Sequence, residues 1–107
     1  MTPAEKGEKA MEERYQAQTE LLKALAHPVR LRIVHGLLRE GCRNVSCMEQ
    51  ATGMSQSCIS QHLQKLRAVG VVTGQRTGNE VYYTVSSPDA ARVVAALMDE
   101  EAADYVL

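Results

Sequence analysis

The 107-residue sequence contains no Trp and no Phe, and four Tyr are its whole stock of Phe, Trp or Tyr side chains. A core must therefore be built from Leu, Val, Ile, Met and Ala. A single small domain with so few large apolar groups is marginal alone, so extra burial against a second chain is expected. No apolar run approaches the roughly 20 residues that a membrane span requires. The N-terminal stretch MTPAEKGEKAMEERYQ carries both charge signs and lacks the apolar segment of a signal peptide, so a cytoplasmic protein is expected. Three cysteines is an odd number without the dense spacing of a disulfide scaffold, which predicts free thiols in a reducing compartment.

Acidic residues are missing from one long segment. The net charge of −1 is near neutral, yet residues 54–79 contain no Asp or Glu. Residues 30–76 carry seven basic side chains against Glu40 and Glu49, a net of +5. Residues 77–107 carry Arg92 against six acids, a net of −5. A positive middle between neutral and acidic ends suits a polyanionic partner.

The pattern predicts one domain, mostly α with a β-hairpin. A first helix over 4–26 has an apolar stretch at Leu21, Leu22 and Leu25, and Gly7 should fray its first turns. His27-Pro28 interrupts it. A second helix runs from about 28 to 40 with Val29, Ile33, Leu37 and Leu38 inward, ended by Gly41. A short third helix is predicted from Ser46, as N-cap with Glu49 three residues on, to Gly53. Ser55 caps the fourth, with Ile59, Leu63, Leu66 and Val69 on one stripe and Gly70 at its left-handed end. Runs 71–76 and 80–85, joined by Thr77-Gly78-Asn79, read as a hairpin. Ser87-Pro88-Asp89 opens a last helix over 88–106, with Val94, Leu97, Met98, Ala102, Tyr105 and Val106 apolar. The order α-α-α-α-β-β-α, with a glycine turn between helices three and four (46–69) and a hairpin wing (71–85), is a winged helix-turn-helix.

The fourth helix turns hydroxyls, amides and cations outward, where a solvated face would alternate Glu and Lys. A recognition helix sits in the major groove, where phosphates exclude carboxylates. Gln56 and Gln61 can pair with adenine; Ser55, Ser57 and Ser60 can bond bases or phosphates. Gln64, Lys65, Arg67 and the wing residues Arg76 and Asn79 complete the candidate surface. His62 lies nearer the buried stripe, and is equally readable as a DNA contact or a half-core histidine.

LLKALAHPVRLRIVHGLL, SQSCISQHLQKLRAVGVV and GNEVYYTV together resemble the ArsR/SmtB family of winged-helix repressors, across roughly residues 21 to 85. The resemblance implies a homodimer on double-stranded operator DNA, joined through the first and last helices (1–26 and 88–106), that lets go when an inducer binds. Two departures bear on the inducer. Where family members that sense metal on the third helix resemble ELCVCDL, this chain reads CRNVSCMEQ, and the Cys-x-Cys positions hold Asn44 and Ser46. The counterparts of the family's last-helix metal ligands fall at about Ser87, Asp89, Glu100 and Ala103, without histidine, so no metal site is expected.

Cys42, Cys47 and Cys58 remain as candidate sensor thiols, open to oxidants, reactive sulfur or a thiophilic metalloid such as arsenite. Cys47, in the first turn of the third helix, should have a lowered pKa. The bland alternative makes Cys42 and Cys58 small apolar fillers. A winged-helix protein-interaction module, or a DNA-binding protein without a sensor, are the competing functions. Catalysis is not expected: Asp89, Glu100 and Glu101 cluster, but no paired base or cleft-forming loop accompanies them.

Overall fold

The computed structural model describes residues 1–41 and 43–99, and its element order follows the expected one. Helix α1 spans Pro3–Leu25, α2 Pro28–Leu38, α3 Val45–Thr52 and α4 Gln56–Ala68. Strands β1 (Val72–Thr77) and β2 (Glu80–Val85) form an antiparallel hairpin, and α5 covers Pro88–Met98. The last helix, expected to reach 106, ends at Met98, where Asp99 takes an extended conformation; Ala102, Tyr105 and Val106 lie outside the described residues.

Helix α1 runs continuously through Gly7, where frayed first turns were expected. Thr2 and Glu5 form a reciprocal capping box that satisfies the first backbone donors. The helix is exposed from its start through Ala17, and only Leu21, Ala24 and Leu25 are buried. The radius of gyration is 16.3 Å, against about 13 Å for a compact chain of this length. Most of α1 therefore projects from the body, with Met11, Tyr15 and Leu22 in solvent.

Helix α2 stops two residues early. Glu40, not Gly41, takes the left-handed conformation (φ 57°), and the Glu40 and Gly41 N–H groups donate to Leu37 and Gly36 carbonyls. This is the paired C-terminal bonding in which glycine ordinarily holds the left-handed place. Gly41 answers a different constraint, because a Cβ there would come within 3.0 Å of the Gly36 carbonyl oxygen. Helix α4 ends by the same bonding with Gly70 at φ 76°, as expected.

The core gathers Leu25, Ile33, Val34, Leu37, Met48, Ile59, Leu63, Leu66, Val71, Val72, Tyr83, Ala90 and Val94. The inward set expected on α2 omitted Val34, which is wholly buried, and Arg30. Ile59, Leu63 and Leu66 fix α4 with about 2 kcal/mol of burial each. Along β2 only the alternate residues Val81, Tyr83 and Val85 turn inward, and Tyr83 N–H donates to the Arg43 carbonyl. That bond ties the wing to the segment entering α3.

Candidate nucleic-acid interface

The turn between α3 and α4 has three residues, Gly53, Met54 and Ser55. Gly53 is left-handed and donates to Glu49 O, while Met54 N–H is taken by the Thr52 hydroxyl. The Ser55 hydroxyl then accepts from Cys58 N–H at 3.2 Å and starts the recognition helix. Burial of the Ile59–Leu63–Leu66 stripe leaves Ser55, Gln56, Ser57, Ser60, Gln61, Gln64, Lys65 and Arg67 exposed together. No acid interrupts them.

The hairpin turn has two residues rather than three, since Thr77 pairs with Glu80. Gly78, at the first turn position, supplies the positive φ that such a tight turn needs. Arg76 and Asn79 are both exposed, and Arg76 Nε donates to Gly78 O at 3.4 Å. A polar cleft of about 270 Å³ joins wing to reading helix, with Gln56, Ser60, Asn79 and Glu80 among its walls. Glu80 is the acid in its wall, and it is engaged. It accepts from Asn44 Nδ2 at 3.2 Å and from the Tyr82 hydroxyl at 2.6 Å, a bond that raises the Tyr82 pKa.

His62 stands apart from the other candidates. Its ring packs on His27 with centroids 4.5 Å apart, and its Nδ1 accepts from Arg30 Nη1 at 3.3 Å. Burial first, then the charges of His27, Arg30 and Lys65, lowers its pKa. The half-core reading is the one this geometry favours. From the sequence, Arg30 adds only to the basic middle of the chain. It is buried, and its Nε donates to the Ala24 carbonyl at the end of α1. An arginine two residues after a helix-starting Pro carried no sequence signal for that role.

The third helix begins at Asn44, not Ser46. Asn44 Oδ1 accepts from Cys47 N–H at 2.8 Å, so a cap two residues earlier replaces the expected Ser46–Glu49 box. Three of the residues standing at the family's metal positions thus have structural roles. Asn44 caps α3, Ser87 caps α5, and Asp89 is held by Gln18 and Arg92 with a lowered pKa. Among the described residues, no three His, Cys, Asp or Glu side chains gather to hold a metal ion.

The expectation of uniformly free thiols fails. Cys47 is disulfide-bonded, so the lowered thiol pKa expected of it does not apply, and the cap on its N–H comes from Asn44. Cys58 is a free, half-buried thiol in the first turn of α4, between the apolar stripe and the polar face. Cys42, Glu100, Glu101 and Ala103 lie outside the described residues.

A capped helix pair, an acid-free second helix and an adjoining two-stranded wing define a winged helix-turn-helix protein. Residues 25–75 match the helix-turn-helix domain family. Over 78 residues the chain is 47% identical to the HTH-type transcriptional repressor SmtB of Mycobacterium tuberculosis, covering 73% of this chain and 57% of that one. The transcriptional repressor PagR of Bacillus anthracis is 40% identical over 78 residues, covering 73% of this chain and 78% of PagR. The homodimeric winged helix-turn-helix DNA-binding domain of Mb0332 from Mycobacterium bovis superposes with a TM-score of 0.75 at 33% identity, covering 88% of this chain and 84% of that one. The chain belongs to the ArsR/SmtB family.

Proposed function

We propose that this protein is a homodimeric, sequence-specific DNA-binding repressor, released from its operator by an inducer. The observation that carries the reading is the outward face of α4, free of carboxylate from Ser55 to Arg67 and continuous with Arg76 and Asn79 on the wing. Gln56 and Gln61 read base edges. Ser55, Ser57, Ser60, Gln64, Lys65 and Arg67 hold the backbone, and Arg76 and Asn79 reach the flanking strand. His62 orients the helix from beneath rather than touching DNA.

The second copy docks on α1 and α5. Tyr15 is 68% exposed and Leu97 66%, with Met11, Leu22 and Met98 alongside. These faces have no partner within the described chain, and a homodimer places two reading helices about one DNA turn apart. A catalytic role has little support, because Asp89 is committed to Gln18 and Arg92. No described helix is long and apolar enough to cross a membrane, and a DNA-binding role places the protein in the cytoplasm.

Operator release is assigned to thiol chemistry. Cys58 lies beside the cap of the reading helix, and Cys47 lies in the first turn of its partner helix. Modifying the free Cys58 thiol by oxidant, reactive sulfur or arsenite, or opening the Cys47 disulfide by exchange with an attacking thiolate or persulfide, would distort the reading head. A DNA-shift assay tests the first part. Affinity should fall steeply with salt, whereas absent or salt-insensitive binding favours a protein-docking module. For the second part, a variant with all three cysteines changed to serine should keep its operator through each treatment. Release of that variant would refute thiol sensing.

A further inference from the structure

A partly enclosed cavity of about 200 Å³ lies between α2 and α3, apart from the reading face. Arg32, Ile33, His35 and Gly36 form one wall, and Met48 and Ala51 the other. Ile33 and Met48 are core residues, so the interior is apolar, with polar groups contributed by Arg32 and His35. An engineered apolar cavity of about 150 Å³ is enough to take up benzene.

Three observations point to a ligand. First, His35 Nε2 is buried and has no hydrogen-bond partner. Asp99 Oδ1 is 4.0 Å away, beyond hydrogen-bond reach. A buried ring nitrogen left without a bond is costly and calls for an occupant. Second, Arg32 uses one N–H of Nη2 on Ala51 O at 3.0 Å and makes no ion pair among the described residues. Its remaining fork is available. Third, Gly36 sits inside a helix without positive φ, and a Cβ on it would meet nothing within 4 Å. Neither a turn nor close packing requires glycine there, although it weakens the helix. Its missing side chain keeps the cavity open.

We propose that this cavity binds a small monocarboxylate with a compact apolar body, of the size of benzoate. The apolar part rests on Ile33, Met48 and Ala51. The carboxylate takes the Arg32 fork, and His35 Nε2–H, sealed from the cavity as the ring stands, donates to it once the imidazole turns inward. Asp99 is half exposed at the end of α5, so water screens its repulsion. The site is coupled to the proposed DNA binding, and that coupling rests on the repressor reading. Arg32 ties α2 to Ala51 in the last turn of α3, two residues before the turn into α4. A carboxylate that draws Arg32 away loosens this tie and re-aims the reading helix.

The probe is sodium benzoate, titrated into the full chain at constant ionic strength and followed by amide chemical shifts. Saturable shifts confined to Ile33, Gly36, Ala51, Thr52 and their neighbours are expected, with a Kd of about 1 mM. Benzamide, equal in shape but uncharged, and the Arg32→Gln variant should each weaken binding roughly tenfold. Gly36→Leu, which fills the cavity from an open position, should abolish it. Absence of saturable shifts, or equal binding of benzamide and benzoate by both wild type and Arg32→Gln, overturns the site. Operator affinity read on the same samples should fall with benzoate in wild type and stay constant in Gly36→Leu. An operator affinity indifferent to bound benzoate overturns the coupling. A protein that binds no DNA at all refutes the repressor reading, while the amide shifts still decide the cavity.

Discussion

The imidazole rings of His27 and His62 pack with centroids 4.5 Å apart, joining the start of α2 to the inner side of the reading helix. His27 Nδ1 accepts from Val29 N–H at 3.1 Å and caps α2, so that nitrogen carries no proton. Arg30 has only donors, so His62 Nδ1 must accept from it and be unprotonated as well. Three side chains thus lock the α1–α2 junction to α4.

Protonating His62 breaks this lock. Its folded-state pKa lies below the ordinary 6.5 because burial first, then neighbouring His27, Arg30 and Lys65, oppose the charge. The unfolded chain therefore binds the proton first, and stability present above pH 6.5 is lost as the pH falls through that value towards the folded pKa. Urea midpoints measured between neutral and mildly acidic pH should show the loss. His62→Gln should flatten that part of the profile, and an unchanged profile would remove His62 as its source.

The reading face separates into two kinds of residue. Gln61→Ala should cost about 1–3 kcal/mol against the preferred base pair and relax preference at one position. Arg67→Gln should weaken all sequences alike and lower the salt slope by about 1 per half-site. Anisotropy with operator and mismatched duplexes, at several salt concentrations, distinguishes these outcomes.

Glu40 occupies a left-handed position at the end of α2 with φ 57°. A side chain pays roughly 1 kcal/mol there that glycine does not. Glu40→Gly should therefore raise stability by about 0.5–1 kcal/mol, less the weak Arg43 contact at 3.9 Å. A lower denaturant midpoint would contradict the assignment.

Gly74 behaves in the opposite way. A Cβ on it would lie 2.9 Å from Val81 Cγ1 and 3.0 Å from Tyr83 Cε1. Tyr83 carries the wing's buried aromatic contact, so Gly74→Ala should cost about 1–3 kcal/mol. It should also lower DNA affinity by displacing Arg76. Thermal unfolding and operator binding of the variant check both effects.

Much of the architecture was legible because local signals agreed. Ser55, Gly70 and Ser87 mark helix ends through bonds made within a few residues of themselves, and Ile59, Leu63 and Leu66 repeat at the helical period. The acid-free surface was legible for the same reason. Once a helix and its buried stripe are known, its exposed residues follow.

Other features depend on distant partners. Asn44 outcompeted Ser46 as a cap, and it also meets Glu80 across 36 positions. Arg30 reads as surface charge until the end of α1 and His62 are placed around it. The cavity beside Arg32 and His35 exists only because α3 crosses α2 at that point. Periodicity and caps are short-range energies, so the amino-acid order alone determined the helices, the wing and the charge of the reading face. Burial of a charged group, the choice between rival caps and the shape of an internal space depend on segments remote in the chain, and only the tertiary packing decided those.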